Sequence, residues 1–232
     1  MAKRTLRLNT SYCAAFAVLA VLALSNSSTG TTYLQQQSSS NQTDGPVSVV
    51  LVVDMSNSLF GARKAERQAL FDSFLQFVQN GNQENEYSLI AIGTEPTLLL
   101  DRSSDTKVIQ DQLIKLFSQE RKGATALYDA CSLAVEKVIK GKHTRHMIVV
   151  VSDGIDTSSY KTLNELQKLL AKNKVPIWTI GISKPGGDII EQQEGNRTLK
   201  ALASASGGKT FNPKGMDQVK SAFASITAEL KH

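Results

Sequence analysis

Five oxygen-bearing side chains in three short segments of the chain have the types and spacing to hold a hard metal ion. An aspartate with serines two and four residues later is followed, further on, by Gly-Ala-Thr and by Ser-Asp-Gly; the five residues are Asp54, Ser56, Ser58, Thr125 and Asp153. Mg²⁺ takes oxygen ligands and usually keeps some waters, whereas softer metals call for His or Cys. The three histidines of the chain are not spaced with this set. The sequence therefore indicates a Mg²⁺ site, with Mn²⁺ or Ca²⁺ as alternative ions.

The charge of this set favours the capture of a ligand over catalysis. Two aspartates neutralise a divalent ion and the hydroxyls add no charge, so the ion would remain electrophilic with an open position. A carboxylate from another molecule could complete its octahedron. A phosphohydrolase would want a second carboxylate two residues after Asp54, where Ser56 stands. The chain has no Gly-x-Ser-x-Gly elbow, no His-Glu-x-x-His helix and no Walker loop, and no His offers a general base. We therefore expect no enzyme.

Helix capping is the alternative explanation of these residues. Ser, Thr and Asp at the ends of strands often cap the helix that follows, and capping explains any one of the five residues well by itself. All five together, at the ends of two neighbouring strands, favour a metal site.

The elements that would position these residues alternate between strand and helix. The β-branched runs 47–53 (VSVVLVV) and 147–151 (MIVVV) are typical of strands that are covered on both faces. Strands are predicted at 47–53, 87–92, 97–100, 147–151, 175–180 and 209–211, and helices at 59–80, 108–117, 126–140, 163–172, 198–205 and 216–230. The pattern predicts a Rossmann-like α/β domain, with an open and mostly parallel six-stranded sheet between two helical layers.

The expected strand order is 3-2-1-4-5-6. Only about five residues separate strands 2 and 3, too few for a helical crossover, so strand 3 is expected to be antiparallel at the edge. The order reverses between strands 1 and 4, and ligands of such sheets bind at this point, beyond the carboxyl ends of the strands. Asp54 and Asp153 follow these two strands.

These residues resemble the metal-ion-dependent adhesion site of von Willebrand factor type A domains, the fold shared with the inserted domain of integrins. The resemblance covers about residues 46–231, and segments 123–130 (GATALYDA) and 151–154 (VSDG) resemble a bacterial or archaeal exported branch. It implies that Ser56 and Ser58 ligate Mg²⁺ directly, that Thr125 does so directly or through water, and that Asp54 and Asp153 act largely through water. Asp156 would hydrogen-bond a water or a serine near the ion, or else be a solvated loop acid. Many relatives have Gly where Asn57 stands, and we expect no loss from this difference.

The N-terminal segment has the pattern of an export signal. Basic residues precede an apolar run at 12–24 (YCAAFAVLAVLAL), and small residues then suit cleavage after Ser25. Residues 1–25 are therefore expected to be a signal peptide or, if uncleaved, an N-terminal anchor. The polar stretch 26–45 is expected to be a flexible tether, and 46–232 the domain. Cleavage would leave Cys131 as the one cysteine, on the apolar face of a predicted helix.

The combined expectation is an exported protein-binding module that is periplasmic, on the cell surface or secreted. Its Mg²⁺ ion would capture an acidic group of a protein partner. The alternative is a scaffold protein whose metal site is only structural. The net charge of +5 includes three basic residues in the N-terminal segment, and no run of Lys and Arg supplies a nucleic-acid footprint. Membrane contact is expected only through an uncleaved N-terminal segment.

Overall fold

The computed structural model describes residues 45–56, 64–119, 123–182 and 186–231. The predicted signal or anchor, almost all of the tether, Asn57 and Ser58 lie outside these ranges. So does the predicted start of the first helix, at Leu59.

The described residues form six strands and six helices that alternate along most of the chain. The strands are β1 (Val47–Asp54), β2 (Glu86–Ile92), β3 (Thr97–Ser103), β4 (Arg145–Ser152), β5 (Ile177–Gly181) and β6 (Thr210–Phe211). The helices are α1 (Lys64–Asn80), α2 (Thr106–Ser118), α3 (Leu127–Val138), α4 (Leu163–Asn173), α5 (Ile189–Ser206) and α6 (Met216–Leu230). Among the described residues, no helix is both long and apolar enough to cross a membrane.

The strands form one sheet in the order β3-β2-β1-β4-β5-β6, as predicted. β1 pairs in parallel with β2 and with β4, and β3 pairs antiparallel with β2. In the register of β1 and β4, Val53 lies opposite Val151. Asp54 and Ser152, the next residues, therefore end neighbouring strands at the same edge, which we call the carboxyl edge of the sheet.

Two apolar layers enclose the sheet because the side chains of β1 alternate between its faces. Val49, Leu51 and Val53 belong to one buried cluster, with the inner faces of α1, α2 and α6. Val50 and Val52 belong to the other, with those of α3, α4 and α5. Cys131 is fully buried in this second layer, as its place on an apolar helix face indicated. Both faces are covered by helices, so the predicted fold class is confirmed.

Several element boundaries differ from the predicted ones, those of β3, β5 and α5 among them. β3 continues to Ser103 instead of ending at Leu100. β5 begins at Ile177, after Pro176, because proline has no N–H to give to a strand ladder. The largest difference is α5, which begins at Ile189, nine residues before the predicted start at Thr198. Asp188 fixes this start of the helix, because its carboxylate accepts hydrogen bonds from the backbone N–H groups of residues 190 and 191.

Candidate metal site

Asp54 is a fully buried carboxylate at the end of β1. Its Oδ1 accepts a hydrogen bond from the backbone N–H of Ser56 at 2.9 Å, and its Oδ2 accepts one from the Ser152 hydroxyl at 2.9 Å. The side chain of Ser56, itself buried, also bonds to Asp54. Neutral donors therefore orient this carboxylate from both neighbouring segments, and they leave its charge in place.

Burial, and then the nearby charge of Asp153, raise the pKa of Asp54 from 3.8 to about 6. Hydrogen bonds from Ser56 and Ser152 lower this pKa, but they do not outweigh the effect of burial. No positively charged side chain of the described residues is among the groups that shift the pKa of Asp54. The two carboxylates thus lie close enough to repel each other at the ends of adjacent strands. A divalent cation beside them would remove both the repulsion and much of the cost of burying the charge.

Asp153 is held by the turn that follows β4. Its Oδ1 accepts a hydrogen bond from the backbone N–H of Ile155 at 3.0 Å, and the Ser152 hydroxyl accepts one from the N–H of Gly154 at 3.0 Å. Gly154 has a φ of 82°, in the left-handed region that favours glycine. A Cβ at Gly154 would also collide with the carbonyl oxygen of Gly195 in α5. The path of the turn therefore depends on this glycine, and it brings α5 into direct contact with the Asp153 segment.

Thr125 is buried two residues before α3 and is hydrogen-bonded to the loop after β4. Its backbone N–H donates to the Thr157 hydroxyl at 2.8 Å, and its carbonyl accepts from the N–H of Thr157 at 2.9 Å. The N-cap of α3 is Ala126, and no side chain caps the helix at that residue. Capping of α3 thus falls elsewhere and does not account for a threonine at this position.

The N-terminus of α3 is instead satisfied by the 156–161 loop. The Asp156 carboxylate accepts hydrogen bonds from the N–H of Tyr128 at 3.2 Å and from the hydroxyl of Ser159, while that hydroxyl accepts the N–H of Asp129 at 3.1 Å. The Asp129 carboxylate accepts in return from the N–H of Tyr160 at 2.8 Å. Asp156 is therefore a structural tie between this loop and α3. Its action on a bound ion stays a prediction.

The structure thus brings Asp54, Ser56 and Asp153 together, and it ties Thr125 to the loop that follows Asp153. Ser58 lies outside the described residues. Sequence reasoning missed Ser152 and Thr157. Ser152 ends a strand of buried apolar residues, and that polar residue at a buried strand position could have been noticed. Thr157 bonds to a residue 32 positions away, and no local pattern marks such a pair.

The donor set fits a hard ion and does not fit a soft one. Within the described ranges, no three His, Cys, Asp or Glu side chains gather into a group that could hold a metal. Ion binding here would depend on the aspartate pair, on serine and threonine hydroxyls and on water, which is the chemistry of Mg²⁺.

Residues 48–225 match the von Willebrand factor type A domain family. Since this match covers most of the chain and the strand order agrees with the fold, the protein belongs to that family.

Several known proteins are similar to this chain. A UPF0353 protein of Mycobacterium avium is 27% identical over 201 residues, covering 78% of this chain and 60% of the relative; the chain thus spans about three fifths of the length of that curated relative. Two of the solved structures that share the fold come from bacteria. An aerotolerance-related membrane protein from Bacteroides fragilis is 18% identical with a TM-score of 0.59, and the match covers 80% of this chain and all of that one. The von Willebrand factor domain of a type V pili tip protein from Porphyromonas gingivalis is 15% identical with a TM-score of 0.64, and the match covers 80% of this chain and 95% of that one.

Proposed function

We propose that this domain binds Mg²⁺, or Mn²⁺ or Ca²⁺ in its place, and captures a carboxylate of a protein partner through the ion. The proposed ligands are Asp54, Ser56, Ser58, Thr125 and Asp153. One observation carries the proposal. The Asp54 carboxylate is fully buried and is repelled by the Asp153 carboxylate, and no positively charged side chain of the described residues is among the groups that shift its pKa. A bound cation would supply the missing compensation.

The side chains available support the proposal of binding over catalysis. Of the three histidines, His143 precedes β4 and His146 is its second residue. Both lie at the end of β4 opposite to Asp153. Among the described residues of the site, only carboxylates and hydroxyls are present. An ion with neutral hydroxyl ligands retains its affinity for an anionic group, so we propose an interaction module and no enzyme.

We further propose that the protein works outside the cytoplasm, in the periplasm, on the cell surface or in the medium. The basic and then apolar N-terminus supports this location. The similar structures named above, a membrane protein and a pili tip protein, are consistent with it.

Calorimetric titration of the purified full chain with Mg²⁺ tests the ion site. We expect wild type to bind Mg²⁺ and Ser56→Ala to lose that binding. Ser73→Ala is the matched control, because this serine is also buried but bonds to the carbonyl of Ala69 within α1. Equal Mg²⁺ affinity in wild type and Ser56→Ala would contradict the proposal.

Capture of a partner from an envelope extract tests the role of the ion. We expect a protein retained in Mg²⁺ and released by EDTA. If EDTA lowers the stability of the domain but leaves the partner bound, the protein is a scaffold with a structural ion.

A further inference from the structure

Three large apolar side chains of the described residues are far more exposed than the others. Tyr160 is 91% exposed, Ile189 71% and Ile190 68%, whereas the exposed apolar residues elsewhere, Val108 among them, reach only 38 to 46%. All three lie on the segments that follow β4 and β5, and so at the carboxyl edge of the sheet. This is the edge that carries the candidate metal site.

The two isoleucines stand on a part of α5 that projects beyond the sheet. α5 runs antiparallel to β5, because the Thr179 hydroxyl contacts the carbonyl of Leu199 while Gly181, at the end of β5, adjoins Asn196. Gly195 packs on the backbone of Asp153. The six residues before Gly195 extend the helix by about 9 Å at 1.5 Å per residue. They therefore overhang the strand ends beside the metal site.

This overhang is an ordered helix end. The Asp188 carboxylate accepts from the N–H of Ile190 at 2.7 Å and of Glu191 at 3.1 Å, and the Gln192 side chain donates to the carbonyl of Gly187 at 3.1 Å. Rigid presentation lowers the entropic cost of burying the two isoleucines in an interface.

The charge around the isoleucines defines the chemistry of the partner. Asp188, which caps α5, and Glu191 and Glu194 on its first two turns are exposed, and residues 188–194 contain no Lys or Arg. Such an acidic and apolar surface complements an apolar patch that is bordered by basic side chains. It would be repelled by an anionic lipid surface.

We propose that the α5 overhang, residues 189–194 with the capping Asp188, determines partner specificity. Ile189 and Ile190 enter an apolar patch bordered by Lys or Arg on the same protein whose carboxylate reaches the ion. The inference rests on the proposed function, since the ion fixes where the partner sits.

The test uses the full chain with a photo-reactive amino acid at position 190 in an envelope extract containing Mg²⁺, and with the same group at position 139 as control. Ile139 is exposed after α3, at the opposite edge of the sheet. We expect the protein captured in the Mg²⁺-dependent experiment to cross-link at 190 and not at 139. Equal cross-linking at both positions, or none to that protein at 190, overturns the inference.

Affinity for that identified protein is then compared between Ile189→Ser/Ile190→Ser and a matched control, Val108→Ser/Ile139→Ser. The control removes two exposed aliphatic side chains away from the carboxyl edge. We expect the overhang variant to bind roughly 100-fold more weakly, as for loss of two buried aliphatic side chains, with unchanged Mg²⁺ titration. The control should bind like wild type.

The outcomes separate the two proposals. Unchanged affinity in the overhang variant, with Mg²⁺ dependence intact, overturns the specificity inference alone. Partner binding that is equal in Mg²⁺ and EDTA overturns the proposed function, whatever the overhang variant does. Binding of wild type to phosphatidylglycerol vesicles that the overhang variant loses would assign the isoleucines to a lipid surface and overturn the inference.

Discussion

Replacement of Asp54 by Asn should stabilise the metal-free domain at neutral pH. The oxygen of the new amide can accept the same hydrogen bond from the N–H of Ser56. Its nitrogen can face the Ser152 hydroxyl, which has lone pairs to accept a bond. The substitution thus keeps the shape of the site and removes the buried negative charge.

The size of the effect follows from the pKa of Asp54, which burial and then Asp153 raise from 3.8 to about 6. Between these two values the folded chain holds a proton that the unfolded chain has lost, so the free energy of unfolding falls as pH rises. At about 1.36 kcal/mol per pH unit, the loss is about 3 kcal/mol once the pH exceeds 6. An amide side chain does not titrate, so the Asp54→Asn variant should lack this loss.

Chemical denaturation in EDTA at a series of pH values from about 4 to 7.5, which spans this titration, measures the difference. We expect the unfolding free energy of Asp54→Asn minus that of wild type to rise by about 3 kcal/mol across this range. In thermal unfolding this is about 6 to 12 °C for a domain of this size. Because only the change with pH is compared, any constant effect of the new amide cancels.

Mg²⁺ should reverse this order of stability. In the proposed site the ion binds the ionised carboxylate, so at neutral pH it should stabilise wild type and leave the variant unchanged. A difference between the two proteins that does not vary with pH would refute the assignment of the raised pKa to Asp54. Equal stabilisation of both proteins by Mg²⁺ would refute its place in the metal site.

Three further predictions concern the scaffold of the site. Gly154→Ala should lower the free energy of unfolding by at least about 2 kcal/mol, because the φ of this residue is positive and the new Cβ would collide with Gly195. The control is Gly207→Ala, which also has a positive φ but open space for a Cβ and should cost only about 1 kcal/mol. Equal losses in urea unfolding would disprove the role of packing. Asp156→Ala should cost about 1 kcal/mol by leaving the N-terminus of α3 without its acceptor, and an unchanged urea midpoint would count against that role. Burial raises the pKa of Cys131 to about 12, so this thiol should not react with iodoacetamide in the native protein at mildly alkaline pH, whereas it should react in the unfolded protein. If mass spectrometry detects rapid labelling of native Cys131, the helix layer opens.

The strands and the positions of Asp54 and Asp153 in the sheet could be predicted because both depend on local residue types. Runs of β-branched residues such as 47–53 and 147–151 identify strands covered on both faces. A polar residue one or two positions after such a run must lie at the carboxyl edge. Asp54 and Asp153 were placed correctly for this reason.

The early start of α5 could not be predicted from apolar periodicity. The two isoleucines at its start are exposed, so no buried apolar stripe marks this part of the helix. The helix begins after Asp188 because a carboxylate caps it, and capping is a weaker pattern than periodicity. The bonds between Thr125 and Thr157 depend on tertiary packing, so sequence spacing could not reveal them.

The hydrogen bonds at the carboxyl edge explain how two aspartates are held close together. Asp54 and Asp153 each accept a bond from the backbone N–H two residues further on, so their own turns fix their orientation. At Asp54 these neutral donors position the carboxylate but do not cancel its charge, which is fully buried. A side chain kept only for structure would serve better as asparagine at neutral pH, since the turn would persist without the cost of burying a charge. A cation bound as proposed would offset that cost, so metal affinity and metal-free stability would oppose each other at Asp54.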